Sequence, residues 1–262
     1  MKDKKNRLYE ERVFVVAGLG DLGLVFAKKL SEYGAVFGVS KNPKQVDLTE
    51  YICTDLLNKE EVIRTFGIMP SARKLIYLHL VGRFAFQDDK HPIKDENMDG
   101  VDDDILNSNL ETFRNVLPCL IKYLRDNPFS NLKAVGIGSA IDIYDIPFLD
   151  SYTYSKNELR KELRSFYGNP ETFGRASTLF INISTVSGKQ LLSERPFISK
   201  EFCLTPEEVV NGSLGYVLDK QISCLEMTLI KPNPSFSEPD YLSIPEIKQR
   251  WYKDMFGGKI NG

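Results

Sequence analysis

Apolar positions along the chain fall into two alternating rhythms. Short runs rich in β-branched residues predict strands over 12–17, 35–40, 47–53, 74–82 and 132–137, and again over 176–188 (strand and exit) and 222–231. The run at 74–82 is apolar at nearly every position, as a strand covered on both faces requires. Between these runs, apolar residues three and four apart predict helices over 24–33, 60–66, 101–125 and 152–167, and another opening at Thr205. Thr205 is a natural N-cap, with Pro206 at the first helical position and Glu208 at the third. In the 101–125 helix, Asp102, Asp103 and Asp104 suit the amino-terminal end and need no further role. Pro118 predicts a kink or division, and Asn107 and Asn109 are poor helix formers in mid-helix. Strand–helix alternation without a break predicts an α/β fold: a doubly wound parallel sheet of about seven strands between two helical layers. The expected organisation is one domain over 1–262, with a flexible arm at 1–11 and a carboxy-terminal tail at 233–262 that includes an amphipathic 241–253 and Trp251. The polar, acidic stretch 84–100 is longer than most connections, which points to a functional or mobile loop.

Composition narrows the setting. With 262 residues, 42% hydrophobic and 27% charged, the chain can bury a large core. A net charge of −2 gives no general attraction to nucleic acid or anionic membrane. No stretch approaches the ~20 apolar residues that span a bilayer. The basic start (MKDKKNR) has no apolar segment or small-residue cleavage site after it, so it is not read as a signal peptide. Cys53, Cys119, Cys203 and Cys224 are widely separated and are expected to be reduced, mostly buried thiols of a cytoplasmic protein. With only His79 and His91 available, a histidine-rich metal site is not expected, and His79, inside an apolar strand, reads as a satisfied core residue.

Two stretches carry candidate chemistry. The first is Gly18-Leu-Gly20-Asp-Leu-Gly23, set between the first strand and the first helix. In that context glycines permit a tight turn and close approach of backbone to a pyrophosphate, which meets the helix amino terminus. At the end of the second strand a cofactor without a 2′-phosphate usually meets an acidic residue. Here stand Ser40 and Lys41, followed by Asn42 and Lys44, which favours NADP(H) over NAD(H). Asp55, near the end of the third strand, is a candidate contact for adenine.

The second stretch runs from Ser139 to Lys156, with Tyr152 13 positions after the serine and four before the lysine. If Tyr152 opens a helix, the four-residue step places the ammonium on the same face as the phenol. A nearby cation favours the phenolate, lowering the phenol pKa toward a range useful for acid/base catalysis. Ser139 ends an apolar strand, where open α/β sheets bind ligands, and its hydroxyl can hold a substrate oxygen there.

Over about residues 12–232 these features resemble the short-chain dehydrogenase/reductase family. The resemblance rests on Ser139, Tyr152-Thr-Tyr-Ser-Lys156, the glycine turn and the helix containing Asn109-Leu. It implies a Rossmann-type fold and an NADP(H)-dependent oxidoreductase interconverting a carbonyl and a secondary alcohol. In that family a serine positions the carbonyl, a tyrosine passes the proton, a lysine holds the ribose hydroxyls, and an asparagine completes a relay through water. Ser139, Tyr152, Lys156 and Asn109 take those places, with Asn107 a second candidate for the relay. The cofactor is implied to lie along Gly18, Gly20, Asp21, Leu22, Gly23, Ser40, Lys41, Asp55, Leu56, Gly82, Lys156, Ser187 and Gly188. Family members are commonly dimers or tetramers packed through the helices of Asn109 and Tyr152.

The match is uneven. The serine–tyrosine spacing and chain length are those of the family's classical branch, whereas Ala17-x-x-Gly20-x-x-Gly23 and Asn109-Leu-Glu-Thr-Phe-Arg-Asn-Val-Leu117 resemble its extended branch. The usual N-N-A-G appears as His79-Leu-Val-Gly82, and the usual P-G as Ser187-Gly188. Two alternatives therefore stand beside the reductase: a nucleotide-sugar epimerase or dehydratase with tightly held NAD, and a non-catalytic dinucleotide-binding regulator. Substrate choice is expected to reside in 84–100, in 189–204, where Arg195-Pro-Phe-Ile-Ser reads as either a lid or an ordinary surface connection, and in the tail.

Overall fold

Seven parallel strands form one sheet in the order β3-β2-β1-β4-β5-β6-β7. They are β1 (Arg12–Ala17), β2 (Ala35–Ser40), β3 (Glu50–Cys53), β4 (Lys74–His79), β5 (Asn131–Ser139), β6 (Ala176–Ile183) and β7 (Cys224–Leu229). The helices are α1 (Asp21–Leu30), α2 (Lys59–Gly67), α3 (Asp103–Leu106), α4 (Thr112–Asp126), α5 (Asp150–Gly168) and α6 (Pro206–Leu218). A π-helical turn, Asn107–Glu111, joins α3 to α4. The structure is a computed structural model that describes residues 11–42, 48, 50–84, 94–96, 100–140, 149–188, 191, 196–231, 249, 253 and 257. Lys44, Asp47, Arg195 and Trp251, most of the 84–100 loop, part of 189–204 and nearly all of the arm and tail lie outside the described residues.

Strand periodicity of two divides the core between the sheet's faces. Val13, Val15, Tyr77 and Ala134 pack with Val62 and Phe66 of α2, Phe113 and Leu120 of α4, and Leu159 and Leu163 of α5. Phe14, Val16, Ile76 and Val135 pack on the opposite face with Phe26 and Leu30 of α1 and Val209 and Val217 of α6. This is the expected three-layer α/β arrangement. The chain runs outward from β1 to β3 and returns to lay β4 on the other side of β1, so the direction of winding reverses between them. Such a reversal opens a crevice at the carboxyl ends of the strands.

Several local expectations change. Pro118 does not divide its helix, since α4 runs through it. The missing N–H is outweighed by one face of Phe113, Val116, Leu120 and Leu124 packed into the core. The irregularity lies upstream, at the π-turn containing both asparagines. The aspartates do more than suit the helix start. Asp102 caps Ile105 N, Asp103 accepts from Glu96 N, and Asp104 pairs with Lys94 and Arg83, tying residues 94–96 to α3. Of the four free cysteines only Cys203 is buried, while Cys53 and Cys224 are exposed. Strand β4 ends at His79, which leaves Leu80 to Gly82 as a loop, and β3 is only Glu50–Cys53. The capping box at Thr205 and Glu208 forms as its sequence implies. Among the described residues, no helix is long and apolar enough to cross a membrane, and no cluster of three or more His, Cys, Asp or Glu could hold a metal ion.

Candidate active site

The loops after β1 and β4 meet at the crevice. Leu80 N donates to Ala17 O at 2.8 Å and Gly18 N to Val39 O at 2.9 Å. Gly18 has a φ of +93°, and a Cβ there would lie 2.7 Å from Leu80 C and Val81 N. A Cβ on Gly23 would lie 1.9 Å from Gly18 O, so two of the three glycines are required by the turn itself. Gly20 has nothing within 4 Å of its added Cβ and faces open space. It is also the N-cap of α1, without a side-chain cap, whereas Asn58, Asp102 and Thr205 cap α2, α3 and α6. The first amides of α1 thus have no side-chain acceptor from the cap, an arrangement suited to an anion. Leu22 is half-buried on α1. Asp21 lies against Gly188, whose added Cβ would be 2.8 Å from Asp21 Oδ2. Ser187 is held by N–H and hydroxyl bonds to Leu204 O at 2.8 and 3.2 Å.

At the ends of β2 and β3, Lys41 forms an ion pair with Asp55 at 2.7 Å. Both pKa values move toward the charged forms: Lys41 is raised by its bond to Asp55, and for Asp55 burial, the largest single effect, acts upward but is outweighed by Lys41 and the Leu57 amide together. The sequence reading treated this cation and this carboxylate separately; the fold makes them partners. Ser40 and Asn42 carbonyls accept from the Tyr51 hydroxyl at 3.0 and 2.6 Å. Leu56 packs its side chain into the core, and its carbonyl accepts from Asn115 at 3.0 Å.

The other wall is α5. Tyr152 and Lys156 share a face, with Lys156 Nζ 5.5 Å from the phenol ring centroid. Phe84 meets the same ring edge-on at 5.1 Å. Lys156 is 4% exposed, and burial lowers its pKa to about 8. No hydrogen-bond acceptor for its ammonium is found among the described residues. Ser139 closes β5, opposite Ile183 of β6, at the same carboxyl edge of the sheet. The intervening 141–148 lie outside the described residues.

Asn109 occupies the middle of the π-turn and is fully buried. Its Oδ1 accepts from Arg83 N at 2.6 Å, and its Nδ2 donates to Arg83 O and Ser155 Oγ, each at 3.0 Å. A Cβ on Gly82 would lie 2.8 Å from Asn109 Oδ1 and 3.2 Å from Lys156 Nζ. Gly82, Asn109 and Lys156 are therefore brought together, and Asn109 rather than Asn107 joins the cluster. Sequence reasoning passed over Ser155, which donates onward to Tyr152 O at 2.8 Å, although it stands directly before Lys156. Phe84 had no signal, because it opens an irregular loop.

A largely buried lysine whose ammonium meets no acceptor among the described residues, an uncapped helix start and a glycine open to space fit a dinucleotide with ribose hydroxyls and phosphates. Among solved structures, the chain is similar in fold to a short-chain dehydrogenase from Shigella flexneri complexed with NADP: 16% identity, TM-score 0.69, 84% of this chain and 97% of that one. It is also similar to Thermoplasma acidophilum aldohexose dehydrogenase in ligand-free form, at 15% identity and TM-score 0.66 over 85% and 94% of the two chains. Escherichia coli serine dehydrogenase gives 13% identity and a TM-score of 0.66 over 86% and 99%. No family model and no curated protein sequence matches the chain.

Proposed function

We propose that the protein is an NADP(H)-dependent oxidoreductase of the short-chain dehydrogenase/reductase type, interconverting a small-molecule carbonyl and a secondary alcohol. The observation that carries this reading is the desolvated Lys156 ammonium beside the Tyr152 ring, at the carboxyl edge of a sheet whose winding reverses at a glycine turn. The dinucleotide supplies the hydride when bound, and the protein supplies orientation and the proton. Gly18, Gly20 and Gly23 would admit the pyrophosphate, Lys156 would hold ribose hydroxyls, and Gly82 and Gly188 would leave room for close approach. Tyr152 holds the transferable proton at Oη. Lys156 favours the phenolate electrostatically, and Ser139 orients the carbonyl oxygen. Phe84 limits how the ring can turn. Asn109 fixes the loop at Gly82–Arg83 and, through Ser155, the first turn of α5.

The preference for NADP(H) is attributed to Lys41. A 2′-phosphate would compete with Asp55 for that ammonium, so Asp55 tempers the preference. Assembly as a homodimer or homotetramer through the helices of Asn109 and Tyr152 belongs to the same proposal. Fluorescence titration with NADPH and NADH, followed by a carbonyl panel read by NADPH consumption, tests it. The reading requires tighter NADPH binding and at least one substrate that Tyr152→Phe no longer turns over. Wild-type rates in that variant would remove Tyr152 from the chemistry. Retained NAD with no net NADPH oxidation would point to the epimerase-like alternative.

A further inference from the structure

His79 ends β4, is 1% exposed, and has no role in the proposed reaction. Its ring is nonetheless bonded at both nitrogens. Nδ1 lies 2.9 Å from the Tyr77 hydroxyl, and Nε2 lies 3.3 Å from Thr112 Oγ1. Thr112 Oγ1 lies 2.9 Å from Ser108 O. A carbonyl can only accept, so the single hydroxyl hydrogen of Thr112 points at Ser108. Nε2 must then carry the ring hydrogen and donate to Thr112. Nδ1 is left bare and accepts from Tyr77. The opposite tautomer would strand the hydrogen of a fully buried tyrosine and set two lone pairs against each other at Thr112.

The far end of this chain is the π-turn. In an α-helix the Thr112 amide would donate to Ser108 O, but here it reaches back five residues to Asn107 O. The Thr112 hydroxyl takes the place of that amide at Ser108 O. The ring is also kept neutral: burial, aided by the nearby Lys156 charge, lowers its pKa to about 3 against a weaker opposing pull from the Asn109 backbone carbonyl.

We infer that the buried chain Tyr77–His79–Thr112 holds the π-turn in place, making His79 a positioning residue that aims Asn109 at the Arg83 backbone, Gly82 and Ser155 beside Lys156. Strand β4, whose exit loop lines the crevice, thereby fixes the π-turn between α3 and α4. The catalytic part of the test rests on the function proposed above; the spectroscopic part does not.

The test uses the full chain labelled with 15N at histidine and asparagine, with His91→Gln to assign the two imidazoles. The inference requires His79 to be neutral with its hydrogen on Nε2. In Thr112→Val the Asn109 side-chain amide signals should move, and kcat should fall about tenfold while NADPH affinity stays within about twofold. Thr112→Ser, which restores the hydroxyl, should recover both. A hydrogen on Nδ1, or Asn109 signals unmoved in Thr112→Val, overturns the inference. If Thr112→Val does not fold, the wild-type tautomer decides: Nε2–H supports the inference and Nδ1–H overturns it. If the wild type reduces no carbonyl, the reductase reading fails, and the tautomer and the Asn109 signals decide this inference alone.

Discussion

Lysines are buried at both ends of the sheet, and the protein treats the two ends differently. Lys133, on β5, is 1% exposed and donates to Tyr216 O at 2.8 Å and Asp219 O at 2.9 Å. Lys74, on the neighbouring strand, also donates to Asp219 O. Their charges meet carbonyls at the end of α6, which such an end leaves without partners and where the helix dipole favours cations. Lys156 is buried almost as deeply, at 4% exposure, but among the described residues its ammonium meets the face of Tyr152 and no hydrogen-bond acceptor. Burial lowers the pKa of all three, Lys74 and Lys156 each to about 8. At the Lys133 end of the sheet the fold supplies an acceptor for each ammonium. At the crevice the described residues supply none, and a lysine left so in a cleft is a mark of function rather than of stability.

Substitutions can break that contrast. The largest effect is expected at Tyr152→Phe, which should lower carbonyl turnover by about 10²–10⁴-fold while NADPH affinity changes little, measured by NADPH oxidation and fluorescence titration. Next comes a matched pair. Lys156→Met should lose turnover to a similar degree yet raise the melting temperature, because the buried charge costs on the order of 3 kcal/mol at neutral pH. Lys133→Met should leave turnover within about twofold and, because it strips the Tyr216 and Asp219 carbonyls of their donor, should raise the melting temperature less than Lys156→Met does. A Lys156→Met melting temperature below wild type would mean that unseen partners already satisfy the ammonium. At the other end of the proposed cofactor site, Lys41→Ala should weaken NADPH binding about tenfold and leave NADH binding unchanged, by the same titration.

The smallest expected effect is a pH slope. The Lys156 pKa is lower in the folded than in the unfolded chain, so between about 8 and 10.5 the unfolded chain binds more protons. The destabilisation from Lys156 is fully present below about pH 8 and is relieved as pH rises through that window. Lys74 titrates in the same range, so the measurement is the difference between wild type and Lys156→Met in denaturant stability. That difference should shrink as pH rises.

The pieces that recur at fixed spacing were legible in the sequence. The alternation of strands and helices gave the α/β sheet, the glycine turn fell where strand meets helix, and the step from Tyr152 to Lys156 put both on one face. What the sequence could not show were contacts between distant segments. A π-turn leaves the apolar stripe of a helix nearly intact, so Asn109 read as a poor helix former and, by resemblance, a relay residue, and its bonds to Arg83 went unforeseen. Pro118 looked disruptive because its packing partners lie on other elements. Lys41 read as an unpaired cation, and only the fold places Asp55, 14 positions on, beside it. The carbonyls that hold Lys133 lie 83 and 86 positions away, beyond any local pattern.

The central claim is that the buried Lys156 ammonium is completed by a bound dinucleotide. Ligand that binds only the folded state raises its melting temperature in proportion to affinity. The most direct measurement compares the NADPH-induced shift in melting temperature of wild type and Lys156→Met. The account predicts a clear upward shift in wild type and a much smaller one in the variant. Equal shifts in the two, or none in wild type, would contradict it.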